Sequence, residues 1–407
     1  MNQNKNRDLH PLLSFERKVN HRILKILSIA LVTLTVLSAF TIALHSILEK
    51  SPLGADFYTF WLAAQSNFLE GKNPYSEEVT LLSQIGIYGK PATPDQDQVA
   101  FAYPVYSLFI LLPIAWMDYA WAESAWMVIN ILLLVSAIYL SFPKAPRWLG
   151  ISFLVFYPVT FGLILGNFAV TIAAILILFY GFFVQRDHPS SFLQILMGLL
   201  VAWITAKPQF TWFFLIFILL ISLRKKYNHF MISLILSGLV FFSVSFVLVP
   251  GWFLQWLGRI QEYAGYVQSQ PTITNFLAVF KSPQIMNAGT WIFGLICAGI
   301  SIWLLLLWIK KKLIDIKLFA WIGFVTYLFH PHGISYEQLC FLVPLLCWMG
   351  ITKDTRWRHV ISFWFLPLIL SWLVFVISKW YIPSADEWPL FFYGIFLASV
   401  ILDYFLN

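Results

Sequence analysis

Long apolar runs recur from one end of this chain to the other, and they constrain its fold more than any other feature. A hydrocarbon layer about 30 Å thick takes about 20 residues of helix to cross. Runs of that order fall near residues 23–48, 121–142, 148–164, 167–184, 192–206, 208–223, 229–249, 291–309, 316–330, 338–351, 360–379 and 389–406. Composition agrees, with 60% hydrophobic and 11% charged residues against about 25% charged in soluble domains. The expectation is an all-α polytopic membrane protein of about 12 transmembrane helices. The first run is too long for the roughly 7–15-residue core of a cleaved signal and has no small-residue cleavage site, so it reads as a retained anchor. Cys297, Cys340 and Cys347 all sit inside apolar runs and offer neither a disulfide framework nor a cysteine zinc site.

Basic residues set the orientation. With residues 1–22 as a cytoplasmic tail and 23–407 as one transmembrane domain, the inner segments carry 19 of the 26 Lys and Arg, including Arg224-Lys225-Lys226 and Lys310-Lys311-Lys312. Both termini then face the cytoplasm. The net charge of +7 reflects this asymmetry, not affinity for nucleic acid. Residues 104–117, flanked by Pro104 and Pro113, are expected as a half-buried outer helix; a full span there would export both basic clusters. Two long outer loops follow, 49–120 and 250–290, and loops of such length in compact folds are usually functional. No phosphate-binding glycine loop, H-E-x-x-H or G-x-S-x-G motif is present.

This topology gathers scattered polar residues on the outer side: Asp56 after the first span, Gly166-Asn167 in a tight turn, Lys207-Pro208 between apolar runs, and His330-Pro331-His332 with Tyr336 and Glu337. A carboxylate at a membrane boundary is a functional candidate, although Asp56 also suits a helix N-cap. Lys207 fits either an anionic partner or a snorkelling lysine. Asn167 fits a cap, and Glu337 a helix-start carboxylate. His330 and His332 alternate and do not share a helix face, which disfavours a metal pair. Trp61, Trp252 and Trp256 suit stacking on a sugar or lying along an isoprenoid chain.

The ordered motifs Asp56-Phe57 with Phe60-Trp61, Gly71-Lys72-Asn73-Pro74-Tyr75, Phe101-Ala102-Tyr103-Pro104, Gly166-Asn167, Ala206-Lys207-Pro208-Gln209 and His330-Pro331-His332 with Tyr336-Glu337 resemble glycosyltransferase family 87. The resemblance runs from about residue 55 to about residue 345. It departs at Thr274-Asn275, where many relatives carry Asn-x-Ser, and at Pro104-Val105, which lacks a Pro-Pro pair. It implies a GT-C fold with juxtamembrane helices in the first outer loop, and use of a polyprenyl-phosphate sugar, mannose by analogy.

Asp56 is then the expected catalytic base, with Lys207 and Arg259 at the donor phosphate. The expected substrate-binding residues are Tyr58, Trp61, Asn73, Tyr75, Tyr103, Asn167, Gln209, Asn275, His330, His332, Tyr336 and Glu337. Direct attack by the acceptor implies inversion. No cofactor is required by these residues, though Asp56 with a histidine could hold a divalent metal weakly. The expected partners are the lipid-linked donor, a lipid or glycan acceptor and membrane lipids, and the expected place is the cell membrane with the site on its outer face. Two alternatives remain: a lipid or solute transporter, for which charges near mid-bilayer are expected, and a glycan ligase using a polyprenyl-diphosphate donor, which needs more outer cationic charge.

Overall fold

A computed structural model describes residues 28, 31–49, 53–186, 188–266, 271–331, 335–351 and 360–380. The expected tail at 1–22, the run at 389–406 and His332 lie outside the described residues. Among these the chain is helical and contains no strand.

The helices are α1 (Leu31–Leu48), α2 (Ala55–Phe68), α3 (Glu77–Tyr88), α4 (Tyr119–Ser141), α5 (Trp148–Leu154), α6 (Tyr157–Leu165), α7 (Phe168–Phe179), α8 (Ser191–Ile204), α9 (Pro208–Lys225), α10 (Asn228–Leu248), α11 (Trp252–Tyr266), α12 (Thr272–Leu277), α13 (Pro283–Ile309), α14 (Asp315–Leu328), α15 (Leu339–Ile351) and α16 (Leu366–Trp380). Five of them, α1, α4, α9, α10 and α13, are long and apolar enough to cross a membrane, and α5 with α6 makes a sixth if that pair, bent by 62°, is one span. The count of twelve spans is therefore not established. The runs at 192–206, 316–330 and 338–351 form helices of 14, 14 and 13 residues, about 20 Å at 1.5 Å per residue, which is short of a full hydrocarbon layer.

Helix α7 is the centre of the molecule. Every residue from Phe168 to Ile177 is buried, as expected of a helix apolar on all sides, and α4, α6, α8 and α15 surround it. Gly166 makes the entry possible: it ends α6 at φ 68°, a left-handed conformation that glycine adopts without steric cost. Asn167 then caps α7, its Oδ1 accepting from the Ala169 amide at 2.9 Å. By contrast α1 and α10 bury little of their length, so their apolar faces are left for lipid. Close packing of α8 on α10 depends on Gly198, where a Cβ would meet the Phe230 carbonyl at 2.8 Å.

The segment expected as a half-buried outer helix is a short 3-10 helix, Val105–Leu111, with Val105, Ser107, Leu108 and Leu111 buried. At one end of the molecule Arg224 lies 3.9 Å from Asp315 and over the Trp308 ring, and Lys225 donates to the Phe183 and Val184 carbonyls. These are segments that the basic-residue pattern places together on the inner side. Lys207, before the first residue of α9, is at the opposite end of that helix from Arg224.

Candidate active site

Asp56 does not cap α2. The N-cap is Gly54, with no side-chain cap bond, and Asp56 sits within the first turn. Its carboxylate turns instead to the end of α7, where Oδ2 accepts from Asn167 Nδ2 at 2.8 Å. Burial pushes the Asp56 carboxyl above the ordinary carboxylate range, offset in part by the Asn167 amide, the Lys207 charge and the Tyr336 hydroxyl. A carboxylate so placed is a stronger base than a surface aspartate.

Behind this pair lies a buried charge network. Lys207 Nζ donates to Asn167 Oδ1 at 2.9 Å and lies 2.5 Å from Glu337 Oε1. Glu337 Oε2 in turn lies 3.1 Å from His330 Nε2, and the Tyr336 ring sits 4.9 Å from the ammonium. Lys207, His330 and Glu337 are 1%, 1% and 4% exposed. Asn167 thus has its oxygen fixed by Lys207 and the α7 amide, which leaves its amide nitrogen aimed at Asp56. Lys207, expected at the donor phosphate, pairs with Glu337 and through its bond to Asn167 orients that amide. It is not a snorkelling lysine, since its head is buried.

In front of Asp56 opens a cavity of about 700 Å³, lined by Asp56, Thr59 and Phe60 of α2, Tyr88, Asp97, Val99, Tyr103, Pro208, Gln209, Trp212 and Phe213 of α9, Trp256, Ile260 and Tyr263 of α11, and Phe329 and Pro331, among others. No Lys or Arg is among the lining residues. Among the described residues no group of three or more His, Cys, Asp or Glu is gathered as a metal site.

The structure brings Asp56, Tyr103, Asn167, Lys207, Gln209, His330, Tyr336 and Glu337 to this centre or its wall. The other expected residues that are described, Tyr58, Trp61, Asn73, Tyr75, Arg259 and Asn275, are not among the cavity lining. Trp61 donates to the Met117 carbonyl at 3.0 Å, and Tyr58 packs edge-on against Tyr119. Tyr75 donates to the Tyr103 carbonyl at 2.6 Å. Asn73 reaches Gln255 at 2.6 Å. Asn275 is on α12. Arg259, expected at the donor phosphate, donates from Nε to the Tyr75 carbonyl at 3.1 Å and pairs through Nη1 with Glu262 at 2.6 Å, which fastens α11 to the first loop.

Sequence reasoning missed two carboxylates. Asp97 lines the cavity from a polar turn whose composition reads only as loop. Glu123 projects from α4, 2% exposed, and its Oε1 accepts from the Leu53 and Gly54 amides at 2.8 and 2.6 Å, while the Tyr119 hydroxyl holds the Gly54 carbonyl at 2.8 Å. Glu123 therefore fixes the start of α2, two residues before Asp56. A lone carboxylate inside an apolar run was the signal that pointed to it.

No curated protein and no solved structure matches the chain. A family model does match, over residues 101–331. That segment holds Tyr103, Asn167, Lys207, Gln209 and His330 of the site, with Asp56, Tyr336 and Glu337 joined to it by the contacts above. With more than half its length matched by that model, the chain belongs to glycosyltransferase family 87.

Proposed function

We propose that this membrane glycosyltransferase takes its sugar, mannose by the family resemblance, from a polyprenyl phosphate and passes it to a hydroxyl of a lipid or glycan on the outer face of the cell membrane. The observation that carries the reading is Asp56, a half-buried carboxylate held by Asn167 at the wall of a cavity whose α9 side carries Trp212 and Phe213, 64% and 42% exposed. Those two side chains lie on a membrane-capable helix. An isoprenoid chain can therefore stay in lipid while its sugar reaches the carboxylate.

In the reaction the acceptor oxygen attacks the anomeric carbon, the bond from that carbon to the phosphate oxygen breaks, and Asp56 takes the hydroxyl proton. The polyprenyl phosphate leaves with the bonding electron pair. Attack opposite the leaving group inverts the anomeric centre, and the sugar needs no enzyme nucleophile. Lys207 acts through Asn167 by keeping the amide directed at Asp56. A GT-C architecture of about 12 spans with cytoplasmic termini fits this reading and the basic-residue pattern. A diphosphate donor fits less well, because no Lys or Arg lines the cavity to meet a second phosphate.

The test is a donor panel given to the purified full-length protein in lipid: polyprenyl-phosphate mannose, the corresponding glucose donor and polyprenyl-diphosphate sugars, with mass spectrometry of the products. Transfer from the monophosphate donors is expected. Transfer confined to diphosphate donors would replace this reading with a ligase.

A further inference from the structure

We propose that Asp97 is a specificity-determining residue for the acceptor, making the first-loop end of the cavity anionic so that it takes an uncharged, hydroxyl-rich glycan and turns away an acidic one. This rests on the glycosyltransferase reading above.

The cavity lining is chemically lopsided. The described lining carries two carboxylates, Asp56 of α2 and Asp97 of the first loop, and Gln209, Trp212 and Phe213 come from α9. No Lys or Arg is among those described lining residues. The isoprenoid chain of a lipid-linked donor is drawn to the exposed Trp212 and Phe213, which leaves the acceptor the side lined by the first loop. Asp97 Oδ1 is held by the Val99 amide at 2.9 Å, which fixes the carboxylate and leaves Oδ2 for a hydroxyl. Tyr263, on the α11 wall, lines the same cavity as both carboxylates.

A sugar hydroxyl donating to a carboxylate makes a charge-assisted bond, shorter and stronger than a neutral one. A uronate or phosphate on the acceptor would be repelled by the Asp97 carboxylate, and such a built-in penalty is how specificity is commonly enforced. Asp97 also acts on the base. The groups facing Asp56 are Asn167, Lys207, Tyr336 and Asp97, with Tyr103 and Tyr263 nearby, and of these Asp97 raises the Asp56 carboxyl. Removing its charge must lower the pH at which Asp56 becomes an effective base.

The experiment uses the full-length protein in lipid, a polyprenyl-phosphate mannose donor and paired soluble acceptors, octyl hexosides and the matching octyl hexuronides. The unsubstituted protein should prefer the hexoside. Asp97→Asn should raise the hexoside KM about tenfold, the scale of one lost hydrogen bond to a charged group, narrow the preference over the hexuronide, leave kcat within about threefold and move the acid limb of the pH profile downward. Asp97→Glu should retain the preference. Transfer by a folded Asp97→Asn protein with unchanged KM, preference and pH limb overturns the assignment alone. Absence of transfer by the unsubstituted protein overturns the glycosyltransfer reading, and this one with it.

Discussion

The Lys207–Glu337 pair makes the site sensitive to single substitutions. Both side chains are almost wholly buried, 2.5 Å apart, and removing one partner leaves the other charge unmatched, at a cost of about 3–5 kcal/mol in comparable pairs. Lys207→Ala should therefore lower the thermal stability of the protein in lipid as well as its activity, and the double substitution Lys207→Met with Glu337→Gln should recover much of the stability but not the transfer rate. Equal melting temperatures for Lys207→Ala and the unsubstituted protein would contradict the pairing. Asp56 supplies a pH dependence at the same scale. Burial disfavours its charged form, so its proton is held to higher pH than in a free aspartate, whose value is 3.8. Only the deprotonated form accepts a proton, so transfer should fall as pH drops through a midpoint above 3.8. A midpoint at or below that value would remove burial as the controlling influence.

Two elements aim the base. Helix α7 presents Asn167 at its capped N-terminus, and α4 grips the start of α2 through Glu123 and Tyr119. Gly166 is a close-packed point, because a Cβ there would come within 2.5 Å of Phe57 Cβ, beside Asp56. Glu123→Ala strips the Leu53 and Gly54 amides of their acceptor, and the buried Gly54 bond alone costs about 1–3 kcal/mol when unmade. It should reduce kcat well below that of Glu123→Gln, whose carbonyl oxygen can still accept from both amides. Equal kcat for the two variants would show that the α2 start is held by packing alone. Neither grip is visible in local sequence, since Glu123 and Leu53 are 70 positions apart and only the packed helices bring them together.

Over the whole molecule, the apolar runs through residue 379 are recognisable in the sequence because each becomes helix in the described residues, and the convergence of Asp56, Asn167, Lys207, His330 and Glu337 is recoverable because each falls at a run boundary of matching parity. What sequence cannot give is the partner each side chain selects. Nothing local in the sequence shows that Glu337 lies against Lys207 or that the Tyr75 carbonyl accepts from Arg259. Asp97, in a turn with Asp95, carries no local mark of facing a cavity. The orientation inferred from basic residues has its own check. Single cysteines at Lys90 and Lys311, both exposed, should differ in intact cells: the first should react with an impermeant thiol reagent and the second only after lysis. The native Cys297, Cys340 and Cys347 are buried and should contribute little background. Reaction at Lys311 without lysis would place the site on the opposite side.

The central claim is that Asp56 accepts the proton of the incoming hydroxyl. Asp56→Asn keeps the size of the side chain and an oxygen that can accept from Asn167 Nδ2, but cannot take that proton. Single-turnover transfer from polyprenyl-phosphate mannose, measured beside donor binding and melting temperature, tests this most directly. The expected result is transfer reduced by about two to four orders of magnitude with binding and folding retained. Near-normal transfer by the folded Asp56→Asn protein would contradict the account.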